Sequence, residues 1–124
     1  MGLHFNYLNL LTNGSMGSSI NSFGMDLNQM YLTTVQAVWT GGSAAGTIQL
    51  QLSCDNVKPV NIVGVDPAAN VVNWDVYTGS AVTVSGAGSQ AWIVGQVGFR
   101  WLRVQYVFSS GTGSLLVQAN TKGP

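Results

Sequence analysis

Residues 99–119 alternate between apolar and other side chains with the period of two that a strand with one buried face requires. The apolar positions on the two sides of a short polar stretch are Leu102, Val104, Tyr106 and Phe108, then Leu115, Val117 and Ala119. The stretch itself, residues 109–113, reads SSGTG, and two glycines that tolerate positive φ are typical of a hairpin loop. We therefore predict that strands over 99–109 and 114–121 pair as an antiparallel hairpin.

The other face of this predicted hairpin is mixed rather than plainly polar, because Trp101 and Arg103 lie among polar neighbours. A mixed face of this kind predicts that something packs over it. Trp101 has the opposite parity to the apolar positions, so we expect it to be the exposed member of the four tryptophans. Those four are Trp39, Trp74, Trp92 and Trp101. Since aromatic rings dominate both cores and interfaces, we place about two of them in the core and the others at an interface.

A second hairpin is predicted over residues 30–54. Its first strand, 30–40, places five side chains on one face: Tyr31, Thr33, Val35, Ala37 and Trp39. A glycine-rich turn over 41–46 precedes the clearest alternation in the chain, in which four side chains point inward: Ile48, Leu50, Leu52 and Cys54. Cys54 is therefore expected in the core as a small apolar side chain.

The whole chain divides into eight or nine short strands separated by turn residues, without helical periodicity. This pattern predicts an all-β fold, an antiparallel β-sandwich of jelly-roll-like arrangement. A length of 124 residues fits one domain, which we place at 20–124, preceded by an N-terminal strand or arm over 1–19. The segment 55–70 is long for a loop, and long loops are usually functional or carry an element of their own.

The N-terminal segment is apolar on both faces. Leu3, Phe5 and Tyr7 fall on one side of a strand over 3–11, and Leu8 and Leu10 fall on the other. A strand at the end of a small sandwich has one face to bury within its own domain. We therefore expect this segment to make an assembly contact with another chain.

Charge is scarce, because only eight side chains, 6% of the chain, are charged and the net charge is zero. An ordinary globular domain has about 25%. A neutral surface gives no repulsion between copies, so association is expected. The chain lacks the clustered lysines and arginines that binding to a nucleic acid requires.

The residue types that carry catalysis or bind metals are also scarce. His4 and Cys54 are single, which excludes an intramolecular disulfide and leaves no triad or metal site at recognisable spacing. The aspartates are scattered, and Asp55 and Asp66 are expected in turn and cap roles. We predict no catalytic residue, no metal and no cofactor, and therefore not an enzyme. The N-terminal residues lack a signal-peptide pattern, and no apolar run reaches the roughly 18 residues of a membrane helix, so a cytoplasmic origin is expected.

Four segments of the chain form a characteristic series: they read QAVWTGGSAAGTIQLQLSCD at 36–55, NW at 73–74, VSGAGSQAWIV at 84–94 and GFRWLRVQYVFSSGTGSL at 98–115. Together they resemble a family of small β-sandwich proteins encoded by tailed bacteriophages, and the resemblance covers about residues 27–118. The chain departs from the family at 55–70, which is apolar and contains prolines where the family has an Asn/Gly/Ser-rich segment. The resemblance implies a virion structural role, as a capsid cement or decoration protein or a tail-associated component, in a protein synthesised in the host cytoplasm. It carries over no catalytic residues.

Two functions remain open at this point. The first is a shell-stabilising protein that binds the major capsid protein or another virion protein, and itself as a homo-oligomer, with a trimer favoured by analogy and a dimer close behind. The second is a carbohydrate-binding or tail-associated receptor-binding module, since the aromatic-Arg strand is also similar to one in discoidin-like sandwiches. No nucleic acid or membrane partner is expected. The residues predicted at the interface are Leu3, Phe5, Tyr7, Leu8, Trp101 and Arg103.

Overall fold

Strands account for all the regular secondary structure of the computed structural model, which describes residues 4–28, 32–95 and 98–123, without the side chains of 4–6 and 123. No helix occurs within these ranges, and consequently none that could cross a membrane. The strands are β1 (His4–Ser15), β2 (Ile20–Asn21), β3 (Met25–Asp26), β4 (Leu32–Thr40), β5 (Ala45–Ser53), β6 (Asp75–Val76), β7 (Val82–Ser85), β8 (Gly88–Val94), β9 (Trp101–Ser110) and β10 (Ser114–Gly123). The predicted all-β class is confirmed.

The strands form two antiparallel sheets that face each other. Sheet A has the order β1-β10-β4-β8. Sheet B is built on the central pair β9 and β5, with β2 and β3 along the outer edge of β9 and with β6 and β7 along the outer edge of β5. Each strand of sheet A therefore faces, across the core, a strand of sheet B that directly precedes or follows it in the sequence. This is the strand order of a jelly roll.

Both predicted hairpins are wrong. β9 pairs with β5, whereas β10 pairs with β1 and β4, so the strands over 99–109 and 114–121 belong to different sheets. β4 and β5 are separated in the same way. The alternation gives the buried face of each strand but not its hydrogen-bonded partner. Two successive strands with apolar inner faces satisfy the pattern equally well when those faces meet across the core.

Four short loops make the crossings between the sheets: residues 16–19, 41–44, 86–87 and 111–113. The central two are joined by Ser43, whose Oγ donates to Thr112 O at 3.0 Å and accepts from Thr112 N at 3.0 Å. Each outer loop is joined to a central loop by a backbone hydrogen bond of 3.0 Å, from Gly86 N to Ala44 O and from Met16 N to Gly113 O. The four loops are therefore stacked side by side at one end of the sandwich.

The core lies between the sheets and contains the six side chains predicted there. Ile48, Leu50 and Leu52 of β5, and Leu102, Val104 and Tyr106 of β9, are each at most 2% exposed. Facing them from sheet A are the predicted inward residues of β4 and β10, namely Thr33, Val35, Ala37, Trp39, Leu115, Val117 and Ala119. Tyr31 lies outside the described residues. Phe108 departs from the prediction and is 37% exposed, because the register of β9 against β5 shifts at that end.

Cys54 is exposed, so its predicted place in the core is wrong. β5 ends at Ser53, whose carbonyl accepts a hydrogen bond from Arg100 N at 3.0 Å and whose Oγ accepts one from Asp55 N at 3.0 Å. These bonds turn the chain out of the strand direction immediately before Cys54. The alternation of β5 therefore stops one residue too early to bury the thiol.

The N-terminal segment is a strand of sheet A, since β1 pairs with β10 from His4 to Ser15. Leu8 packs against the core and Leu10 is buried, while Tyr7 is 59% exposed on the other face. Leu3 lies outside the described residues, and Phe5 is described only in its backbone. Tyr7 and Leu8 thus take the opposite faces that the sequence predicted, with the sandwich core covering one of them.

We expect replacement of Leu50 or Leu102 by Ala to lower the free energy of unfolding by about 2–5 kcal/mol, the range for buried large-to-small changes. Both side chains are completely buried. Denaturant unfolding measures the effect. Val107→Ala in β9, where the side chain is 40% exposed, serves as the control and should change stability by less than about 0.5 kcal/mol. If the Leu50 and Leu102 variants lost no more stability than the Val107 control, the assignment of inward and outward faces would be contradicted.

A glycine pair tests the stacked loops. Gly111 and Gly42 have similar positive φ, 81° and 84°, but a Cβ at Gly111 would lie 1.9 Å from Ser43 O, whereas one at Gly42 meets nothing within 4 Å. Both alanine variants incur the left-handed backbone cost of about 1–2 kcal/mol. Gly111→Ala adds a clash with fixed backbone and should be less stable than Gly42→Ala by at least about 1 kcal/mol in thermal or denaturant unfolding. Equal stabilities would mean that the loops are not in contact.

Candidate functional site

The segment over residues 54–74, named the cap here, lies on the outer face of sheet B and covers Trp101. The indole is completely buried against Ala68 and Val71, and its Nε1 donates to Asp55 O at 3.2 Å. The prediction that Trp101 is exposed is therefore wrong. Its parity does place it on the outer face, as predicted, but that face is covered by the protein's own long loop.

Arg103 is held beneath the same cap. Its guanidinium lies 4.2 Å from the centre of the Trp74 ring, within the range of a cation–π interaction, and its Nε donates to Gln51 Oε1 at 2.7 Å. Burial lowers the pKa of Arg103, and the nearby charge of Asp66 acts in the opposite direction. Arg103 is partly buried, and its main contacts are within the protomer.

Two aspartates hold the cap in place: Asp55 joins its two ends to each other, and Asp66 ties it to the sandwich. The Asp55 carboxylate accepts from Val72 N at 2.8 Å, Asn73 N at 3.0 Å and Asn73 Nδ2 at 2.8 Å. The Asp66 carboxylate accepts from Ala68 N at 2.9 Å and, across to the segment before β3, from Gly24 N at 2.8 Å. The turn and cap roles predicted for these two residues are confirmed.

Gly24 permits this close approach of the cap. A Cβ at this position would lie 2.2 Å from Ala68 Cβ, so a larger residue would displace the cap from the sandwich. Close by, Arg100 forms an ion pair with Asp26, with Nε 2.7 Å from Oδ1 and Nη2 3.1 Å from Oδ2. The fit of Ala68 against Gly24 and the hydrogen bond from Gly24 to Asp66 therefore hold the cap against the sandwich, and the Arg100–Asp26 pair lies outside the cap.

The outward side of the cap exposes a tight aliphatic turn, Ile62–Val65, named the apolar turn here. Val63 is fully exposed and Ile62 is 63% exposed. Hydrogen bonds from Val65 N to Ile62 O at 3.1 Å and from Val60 N to Pro67 O at 3.0 Å close the turn. Gly64 at its tip has a φ of 83°. The sequence predicts the long loop but not the exposure of these residues. The signal for it is an apolar run between two prolines, without the alternation that would bury one face.

A groove of about 420 Å³ opens on the other side of the cap, between the edge of β1 and the segment that leads into β3. Its walls include Leu8, Leu10 and Met25 inside, with Tyr7 and Phe23 at the rim. Thr121 also lines the groove, and its Oγ1 is buried without a hydrogen-bond partner among the described residues. The groove is predominantly apolar, with one unsatisfied hydroxyl.

The predicted interface residues do not come together as one surface. Tyr7 and Leu8 lie in β1 of sheet A, whereas Trp101 and Arg103 lie in β9 of sheet B under the cap. Trp101 has no exposed area to offer a partner. The apolar turn and the groove are two surfaces of the described residues that present apolar side chains.

The described parts of the chain contain no cluster of three His, Cys, Asp or Glu side chains that could hold a metal ion. Asp26 is engaged by Arg100, and Asp55 and Asp66 are engaged by backbone amides. Three of the four aspartates are therefore occupied by contacts within the protein.

The Asp55 contacts predict a loosening of the cap in acid. Hydrogen bonds from the Asn73 side chain, then from the Val72 and Asn73 amides, lower the pKa of Asp55. The stability that they provide is complete above the usual carboxyl value of 3.8 and is lost as the pH falls through the lower folded value. Hydrogen exchange at Val72 and Asn73 should accelerate in Asp55→Ala already at neutral pH. Asp75→Ala, an exposed aspartate outside the cap, is the control, and slow exchange in Asp55→Ala would contradict the anchor role.

Comparison with known proteins adds solved structures of the same fold. No protein-family model matches the sequence, and no curated protein matches it. SPBc2 prophage-derived protein YomS is similar in structure, with a TM-score of 0.60 and 12% identity over 99% of this chain and 96% of that chain. A chain in the structure of infectious bursal disease virus, Gx strain, has a TM-score of 0.52 and 8% identity, over 98% of this chain and 33% of that chain. At these identities the likeness shows a shared fold, in a prophage-derived protein and in a virus.

Proposed function

We propose that this protein is a structural protein of a bacteriophage virion, a cement or decoration protein that stabilises the shell by contacts between subunits. The observation that carries the proposal is the apolar turn, which presents exposed aliphatic side chains on a hydrogen-bonded, anchored base. Surface apolar clusters of this kind mark sites of protein association. The proposed partner is the major capsid protein or another virion protein.

The hydrogen-bonded base of the apolar turn makes it suited to binding a partner. Because Asp55 joins the two ends of the cap and Asp66 ties it to Gly24, little conformational entropy is lost when Ile62 and Val63 enter a partner's pocket. Val72, another aliphatic side chain of the cap, is 78% exposed.

The structural neighbours support a virion structural role in general, since one is prophage-derived and another belongs to a virus. The sequence resemblance to small sandwich proteins of tailed phages supports the same reading. A shell offers many equivalent positions, so a small cement protein acts in many copies. Self-association, whether dimeric or trimeric, would multiply these contacts.

Carbohydrate or receptor binding is the second candidate, and the groove favours it because Tyr7 and Phe23 stand at its rim beside Asn9. A sugar site needs free polar groups beside such rings. Here the Tyr7 hydroxyl accepts from Gln118 Nε2, Asn9 Nδ2 donates to Thr12 Oγ1, and the Asp26 carboxylate is held by Arg100. The shell-binding proposal therefore takes precedence.

The test uses virions of the phage that carries this gene, with the gene deleted, and adds purified protein back. We expect wild-type protein to sediment with the particles at hundreds of copies each. Val63→Asp should lower the occupancy about tenfold or more at limiting protein, because a carboxylate buried in an apolar contact is costly. Ile93→Asp, a change at an aliphatic residue of β8 that is 76% exposed, is the matched control and should bind normally.

Absence of the wild-type protein from virions would refute the structural role. A few copies at the tail would support the receptor-binding alternative. Equal occupancy of wild type and Val63→Asp would leave the virion role intact and remove the apolar turn as the contact.

A further inference from the structure

The outer edge of β1 is an unpaired edge of sheet A. Among the described strands, β1 pairs with β10 alone. In an antiparallel ladder, every second residue turns both its N–H and its C=O away from the partner strand. The Leu10 carbonyl on this edge accepts from Phe23 N at 3.0 Å, which closes one end. From His4 to Asn9 the edge is left with backbone groups that can pair with another strand.

This stretch lacks the devices that natural proteins use to block edges. Charged side chains, prolines and bulges normally prevent one edge from pairing with another. β1 contains no charged residue after His4 and no proline. Its register against β10 is regular from His4 to Asn9, and the irregularities begin only between Asn9 and Leu11. The open part of the edge is therefore straight, neutral and suited to pairing.

The groove runs along the same edge, and its position indicates what an added strand would cover. Leu8 and Leu10 of β1 and Met25 of β3 form its apolar wall, and Thr121 lines it as well, with a buried Oγ1 that finds no hydrogen-bond partner in the described part of the chain. A strand placed beside β1 in sheet A would send alternate side chains over the groove. Apolar side chains at those positions would remove its surface from water.

We propose that two copies of this protein associate through their β1 edges, pairing antiparallel around a two-fold axis so that the two A sheets become one continuous sheet. Such a contact is self-complementary, because the same residues face each other across the axis. The inward side chain Leu8 of each copy then lies toward the groove of the other. No like charges oppose each other within the strands, and the net charge of zero removes long-range repulsion.

The expected affinity is modest. A standard interface covers about 800 Å² of each partner. That area would be a substantial share of the 6669 Å² of accessible surface that this protein has. Pairing along six residues with partial filling of a groove buries less than that standard area. We therefore expect a dimer in the micromolar range, which equilibrium sedimentation can measure.

The test is a pair of lysine substitutions on the two edge strands of sheet A. Tyr7 on β1 is 59% exposed and Ile93 on β8 is 76% exposed, so neither change disturbs the core. Tyr7→Lys places two like charges at the proposed contact and should raise the dimer dissociation constant about tenfold or more. Ile93→Lys should leave it unchanged. Hydrogen exchange of the dimer should show added protection of residues 4–9 that disappears on dilution.

Several results would overturn the inference. These are a wild-type protein that remains monomeric at submillimolar concentration, a Tyr7→Lys protein that dimerises as well as wild type, or protection that appears on β8 instead of β1. Protection of residues 4–9 only when particles are added would assign the edge to a shell protein and also reject self-pairing. The dimerisation measurements use purified protein without particles, so their outcome is independent of whether the apolar turn binds a virion.

Discussion

The contact between the crossing loops 41–44 and 111–113 is the constraint on which the jelly-roll order depends. Each loop connects two strands that face each other, so placing the loops side by side also fixes which strands are neighbours in both sheets. Ser43 joins them through two hydrogen bonds to Thr112, and Gly111 approaches Ser43 so closely that a side chain would not fit. The outer loops continue the stack through Gly86 and Met16.

The inward faces of the strands could be predicted from the sequence, but their partners could not. Leu50 and Leu102 were assigned correctly because alternation is a local property of one strand. Pairing is decided by contacts between residues far apart, such as Ser43 with Thr112. A short Gly-rich loop serves both a hairpin and a crossing between sheets, so its composition does not distinguish them.

At the candidate site, too, the contact between the cap and sheet B joins residues far apart in sequence and could not be predicted from local patterns. The sequence indicated that the face around Trp101 is mixed and that 55–70 is a long loop, but not that the second covers the first. The connection rests on Asp66 reaching Gly24 and on the fit of Ala68 against that glycine. One side of the cap buries an indole and the other presents Val63, so the stability of the domain and its proposed binding surface share one segment.

The pairing of β1 with β10 brings the first and last described strands together at one side of sheet A. Among the described strands, no two that are joined by a short loop pair with each other, and the consecutive pair β5 and β6 is joined by the whole cap, so every pairing must close a long loop. Such topologies fold slowly. On a ribosome, β1 has no partner until β10 has emerged. Its unpaired edges and apolar face then stay exposed throughout synthesis, and premature contact between nascent chains is the characteristic hazard of this arrangement.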